Sequence, residues 1–248
     1  MKKFCFFSVI ACICAGSVFT GCKKDDNPAT SSVKSIDANV ENGSKFDLDD
    51  VMAVIEYYDF VVADDKYKNG KFSFDLPDNV SSMYLEKIGD EMEIINGIKV
   101  SDASASMGVI NIEGYKSGEY VDDFYYGKIE LNNNAVIITA GGYVYVDKDV
   151  KITGSVSETV DGVKATVSFD VFFKKGWNIM YVSIAKPIDG KSITIKITTS
   201  DPGGMKWYFA NDDFSDFPFL GTYQPQTDFK LSVFQQKLLA KFKLFEFK

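Results

Sequence analysis

Chemistry in this chain is limited first by its cysteines: Cys5, Cys12, Cys14 and Cys22 all fall within the opening 22 residues, and nothing beyond them carries a thiol. The remainder therefore has no disulfide, no thiolate nucleophile and no cysteine metal site. Histidine is absent, and all 27 basic residues are lysine. Without imidazole the chain lacks the commonest general base near neutral pH and the commonest metal ligand. Without guanidinium it lacks the two-pronged donor that grips phosphate and carboxylate. Ser31 to Lys34 and Ser183 to Lys186 match the Ser-x-x-Lys spacing of penicillin-recognising enzymes. Neither has the helix that positions such a pair, and no Lys-Thr-Gly accompanies them, so chance spacing is the better explanation.

Oxygen ligands for calcium are a second line of chemistry. Asp65 to Leu76 imitates a calcium loop through Asn69 and Gly70, but Tyr67 stands at its third position and Leu76 where a bidentate Glu belongs. Asn211-Asp212-Asp213 with Asp216 is the better calcium candidate, set against the plainer reading of an acidic solvated loop. A carboxylate pair for glycoside hydrolysis needs two acids about 5 to 10 Å apart across a cleft, and the sequence neither supports nor excludes one. No catalytic residue and no cofactor is assigned. Sugar platforms are available among Tyr57, Tyr58, Tyr125, Tyr126, Tyr143, Tyr145, Trp177 and Trp207. Adjacent tyrosines in a strand point to opposite faces, so one of each pair is expected outward, while both tryptophans are expected in the core.

The N-terminus is the segment whose job is most legible. Lys2 and Lys3 precede an apolar stretch from Phe4 to Phe19, which ends in Thr20 and Gly21 before Cys22. That is the layout of a signal peptide over residues 1–21. A transmembrane helix needs about 20 apolar residues, whereas Gly16 and Ser17 interrupt this run and Lys23-Lys24-Asp25-Asp26 follows at once. Phe19-Thr20-Gly21-Cys22 resembles a bacterial lipobox, with Phe19 where Leu is usual, and Lys23-Lys24-Asp25-Asp26 is similar to the lysine-plus-acidic tag of surface-exposed Bacteroidetes lipoproteins. The resemblance implies acylation of Cys22, cleavage before it, and a protein anchored in the outer membrane facing the exterior. Several acyl chains on one residue give stable anchoring.

Cleavage removes Lys2 and Lys3 and leaves 25 lysines against 35 acidic side chains, a balance of −10. Nucleic acid is therefore excluded as an expected partner. Residues 22–45 are polar, carry Pro28 and show no clear periodicity, so a flexible tether is expected there.

From Phe46 onward the hydrophobic period is two. Val163 to Phe173 alternates over its whole length, and Val150 to Val156, Trp177 to Ile184 and Ser192 to Thr198 lie close by in sequence. Such short links predict an antiparallel meander, with Lys174-Lys175-Gly176 as a hairpin turn. Further strands are expected at Val51 to Tyr58, Lys71 to Leu76, Val109 to Tyr115, Tyr125 to Leu131, Val136 to Ala140 and Tyr143 to Val146, with turns at Gly141-Gly142 and Asn132-Asn133-Asn134. The fold expected is all-β, an antiparallel sandwich of one large unit or two small ones, 46–100 and 101–210, divided between Gly97 and Ser106. Asn69 to Pro77 is similar to a turn and strand of prealbumin-like modules, and Lys174-Lys175-Gly176-Trp177-Asn178 resembles a feature of uncharacterised Bacteroidetes lipoproteins. In the tail, 211–248, Leu231, Phe234, Leu238, Phe242 and Phe245 recur at helical spacing beside Lys237 and Lys241. A helix packed on a sheet, a helix on a membrane surface and a poorly ordered appendage all remain open for it.

These readings together lead to an expected role as a non-catalytic lipoprotein that binds a glycan or another envelope protein. A fimbrial subunit is one alternative, weakened because maturation by an Arg-specific protease has no Arg to cut. A carboxylate-dependent hydrolase is the other.

Overall fold

The structure is a computed structural model that describes residues 32–89, 97–132, 134–160 and 162–210. Cys22, the calcium candidates Asn211, Asp212, Asp213 and Asp216, and the amphipathic tail lie outside the described residues. So does Ser31.

The chain is all-β and sandwich-like. Fourteen strands are described: β1 (Ser35–Asn39), β2 (Asp50–Ile55), β3 (Phe60–Lys66), β4 (Lys71–Asp75), β5 (Glu86–Lys87), β6 (Ile98–Val100), β7 (Ser106–Lys116), β8 (Glu119–Asn132), β9 (Ala135–Val146), β10 (Val150–Val160), β11 (Val163–Phe173), β12 (Gly176–Pro187), β13 (Ser192–Thr198) and β14 (Lys206–Phe209). The main sheet runs β3-β2-β7-β8-β9-β12-β13-β11-β10-β6, with β14 added to β8 and β5 to β7. A separate antiparallel ribbon, β1–β4, touches β14 through a parallel bridge between Val40 and Trp207.

Two cores result, and β9 and β12 are the wall between them. Alternation along β9 sends Tyr143 and Tyr145 into the first core and Val144 and Val146 into the second, and all four are buried. On β12, Trp177 faces the first core and Met180 and Val182 the second. The ribbon covers the first core with Ile36, Ala38, Phe72 and Phe74, against Val51, Ala53, Ile110 and Ile112 of the main sheet. The second is filled by Val150, Ile152, Phe169, Val171, Phe173 and the Ile193, Ile195, Ile197 row of β13. A strand buried on both faces reads as an unbroken apolar run rather than an alternation, which is how Tyr143 to Val146 reads.

Several expectations are corrected here. The segment expected as a tether contains β1, because Ile36, Ala38 and Val40 form an inward row too short to register as a pattern and end up buried under the sheet. Val33 N–H, still nearer the N-terminus, donates to Trp177 O at 2.8 Å. The expected division between 46–100 and 101–210 does not separate the sheet, since β2 pairs with β7 from Asp50–Tyr115 to Val54–Asn111. Gly141-Gly142 is not a turn but the middle of β9. A Cβ on Gly141 would sit 2.8 Å from the Tyr126 ring and 3.4 Å from that of Tyr181, so the glycine makes room for two neighbouring aromatics. It also marks the region where β9 changes partner, from β8 to β7. At the expected Asn132-Asn133-Asn134 turn, β8 ends at Asn132 and β9 begins at Ala135, with Asn132 Oδ1 accepting from Ala135 N–H at 2.7 Å; Asn133 lies outside the described residues.

The meander is corrected as well. β11 and β12 follow one another directly but do not pair; β13 inserts between them, antiparallel to β12 and parallel to β11. The corner is fixed by buried Asn178, whose Oδ1 accepts from Lys174 N–H while its Nδ2 donates to Lys174 O and Gly176 O. Asp149 holds the same corner from outside, accepting from Lys175 N–H at 2.8 Å and pairing with the Lys174 ammonium at 2.9 Å. These contacts keep the Asp149 carboxyl below its usual range.

One glycine is indispensable to the second core's edge. Gly154 on β10 has φ 133°, a conformation side chains rarely adopt, and a Cβ there would run into Gly97 O where β6 pairs with β10. Gly154→Ala is expected to lower stability by about 2 kcal/mol or more, from backbone strain and forced separation of β6. Urea unfolding of the full chain measures it, and a loss below about 0.5 kcal/mol would remove that role.

Candidate functional site

The aromatic residues singled out as sugar platforms divide clearly. Trp177 and Trp207 are core residues, as expected, and Tyr143 and Tyr145 are buried with them. Trp207 lies parallel to Tyr143 at 6.1 Å and within 5.2 Å of Tyr126. Burial drives the Tyr143 hydroxyl well above its usual pKa, so it stays protonated. Tyr57 and Tyr58 are not in a strand: β2 ends at Ile55 and both sit in a one-turn 3-10 segment, Glu56–Tyr58. Their rings meet edge-on at 4.7 Å, Tyr58 leans on Tyr84, and Tyr84 stacks on Phe60 at 3.8 Å. Tyr57 and the neighbouring Met83 remain exposed. This cluster caps one end of the first core, and within it the stacked faces of Phe60 and Tyr84 are occupied by one another.

Ser183 and Lys186, the Ser-x-x-Lys pair, lie three apart on β12 and thus point to opposite faces, so they cannot act together. Ser183 Oγ is instead 2.9 Å from Thr139 Oγ1. Asp65 to Leu76 is no calcium loop. Asp65 lies inside β3, which ends at Lys66; Asn69 and Gly70 make a tight turn with φ of 51° and 79°, and Lys71 opens β4. Asn-Gly is the pair that supplies two successive positive φ values in a hairpin turn. Among the described residues no group of three or more His, Cys, Asp or Glu could hold a metal ion, and no helix is long and apolar enough to cross a membrane.

Sequence reasoning missed a concave site beside that turn. A shallow, open groove of about 430 Å³ lies between the ribbon and β3, lined by Asp37, Asn39, Asp65, Lys68, Lys71 and Ser73 among others. It is assembled from the outward side of the ribbon, where Asp37 faces Ser73 and Asn39 faces Lys71, while Ala38 and Phe72 turn to the core. Ser73 organises its floor: its Oγ donates to Asp37 Oδ1 at 2.5 Å and its N–H to Asp65 Oδ2 at 2.8 Å. The turn at its mouth is braced from behind by Tyr67, whose hydroxyl donates to Gly43 O at 2.9 Å and whose pKa is pushed up to about 12 by burial. Gly43 backs directly onto Gly70, where a Cβ would come 2.6 Å from Gly70 Cα.

Comparison with protein-family models, with curated proteins and with solved structures finds no match to this chain.

Proposed function

We propose that the protein is a lipid-anchored, surface-exposed outer-membrane lipoprotein with a non-catalytic binding or adhesion role, its ligand a glycan or another envelope protein. The observation that carries this reading is Phe19-Thr20-Gly21-Cys22 at the end of an apolar segment, followed by Lys23-Lys24-Asp25-Asp26. It is supported by the absence of His and Arg and of any Cys beyond Cys22, which removes the usual nucleophile–base pairs from the exported part.

Two measurements test it. Fatty-acid labelling with a Cys22→Ser control tests the anchor. A glycan array, together with pull-down from envelope extracts, tests the binding role using full-length protein in detergent. Retention of a defined glycan or envelope protein is expected. Turnover of a substrate without such retention would replace the reading with an enzymatic one.

A further inference from the structure

We infer that the groove between the β1–β4 ribbon and β3 is a binding site for an anionic saccharide, one bearing a carboxylate or sulfate group. The inference deepens the proposed binding role and rests on it.

Its starting point is an electrostatic mismatch. Lys68 and Lys71 are direct partners across the Asn69-Gly70 turn, joined by Lys68 N–H to Lys71 O at 2.9 Å and Lys71 N–H to Lys68 O at 3.0 Å. Such a pair has Cα atoms about 5.5 Å apart and side chains on the same face. Like charges placed directly opposite one another destabilise a strand pair. Both lysines line the groove and both are exposed. Neither ammonium has an ion-pair or hydrogen-bond partner among the described residues, unlike Lys66 next to them, which pairs with Asp50. An anion held between the two ammonium groups relieves the repulsion, and the braced turn keeps them in place to receive it.

The rest of the lining selects what carries the anion. Beside the lysines the groove presents Asp37, Asp65, Asn39 and Ser73, a set of acceptors with some donors. Sugar hydroxyls donate and accept at the same atom and match such a floor. A free inorganic anion would meet the lysines and leave the floor unused. An acidic peptide lacks the rows of hydroxyls that match this floor, and its strand-type docking needs free edge groups. The Ser73 N–H on the β4 edge is already taken by Asp65. The volume of about 430 Å³ falls in the range of small-molecule sites, about 300–1,000 Å³. Recognition by exposed charges over a polar floor is salt-sensitive.

The test is a titration of full-length protein in detergent with five probes: a galacturonic acid trimer, a sulfated uronic-acid disaccharide, a neutral glucose trimer, sodium phosphate and an oligo-aspartate peptide. At low ionic strength the trimer, the disaccharide or both are expected to bind at least tenfold more tightly than the neutral sugar and than phosphate, with affinity falling as salt is added. Changing both Lys68→Ser and Lys71→Ser should cost tenfold or more, while Lys87→Ser, an exposed lysine outside the groove, leaves binding unchanged. Both changes are at the surface, and thermal unfolding confirms that the double variant is folded. Equal affinity for acidic and neutral sugars, phosphate matching the saccharides, stronger binding of an oligo-aspartate peptide, or full affinity in the double variant each overturns the inference. If the array instead yields a neutral glycan or an envelope protein whose binding ignores Lys68 and Lys71, the groove assignment falls and the proposed function stands. If the array and the pull-down retain nothing, the binding role itself fails.

Discussion

Cys22→Ser is expected to abolish incorporation of labelled fatty acid and to eliminate the acylated mature species. Serine keeps the size and polarity of the side chain but removes the thiol proposed to accept diacylglycerol, and no other thiol stands outside the apolar segment to substitute for it. Cleavage before residue 22 should fail with it, so the uncleaved precursor, still carrying Lys2, Lys3 and the apolar segment Phe4 to Phe19, is expected to accumulate in the membrane it is exported across instead of reaching the outer membrane. The β-body is expected to fold as before, because its first described strand begins at Ser35, beyond the altered residue. Labelling in wild-type cells, followed by fractionation, measures both effects. Uptake of label by the serine variant equal to wild type would overturn the lipoprotein reading.

Trp177→Ala is expected to be the most damaging single change among the described residues, at about 3–5 kcal/mol. The side chain is 2% exposed, packs edge-on against Tyr145 at 5.4 Å, and donates Nε1–H to Pro77 O at 2.8 Å. That bond ties the wall between the cores to the segment leaving β4, and the Trp177 carbonyl receives Val33 N–H at the start of the chain's described part. Alanine leaves a large cavity and an unpaired carbonyl, and the two losses act together. Trp177→Phe retains most of the ring and should cost about 1–3 kcal/mol, mainly through the lost hydrogen bond. Urea titration of the three proteins ranks them. A loss under about 1 kcal/mol for alanine would show that the ribbon and wall are not joined through this residue.

Legibility in the sequence followed the length of each alternating pattern. Val163 to Phe173 and Ser192 to Thr198 were readable to the residue, because six and three inward aliphatic or aromatic positions recur without a break. Their pairing was not. Short links suggested neighbours, but the corner held by Asn178 lets β12 step away from β11 so that β13 enters beside both. Tertiary pairing of this kind has no local signal. β1 was missed for the opposite reason, as its inner row ends after Ile36, Ala38 and Val40, one of them a small residue. Gly141-Gly142 misled because glycine usually marks a turn, whereas here Gly141 clears space for rings on the two adjacent strands. The groove was hidden entirely: Asp37 and Ser73 are far apart in sequence, and Lys68 and Lys71 look like ordinary solvated charges until the turn sets them face to face.

The shared wall has a consequence for how the molecule comes apart. Melting one core alone would strip one side of β9 and β12 while the other side stayed packed, leaving either Tyr143 and Tyr145 or Val144 and Val146 open to water. A partly melted intermediate of that kind carries a large apolar surface on strands whose ladders are still intact, and it has no separate partner with which to cover it. The two cores are therefore one cooperative unit, although each has its own set of side chains. Damage introduced on either side is distributed over the whole described body rather than confined to the half where it was made.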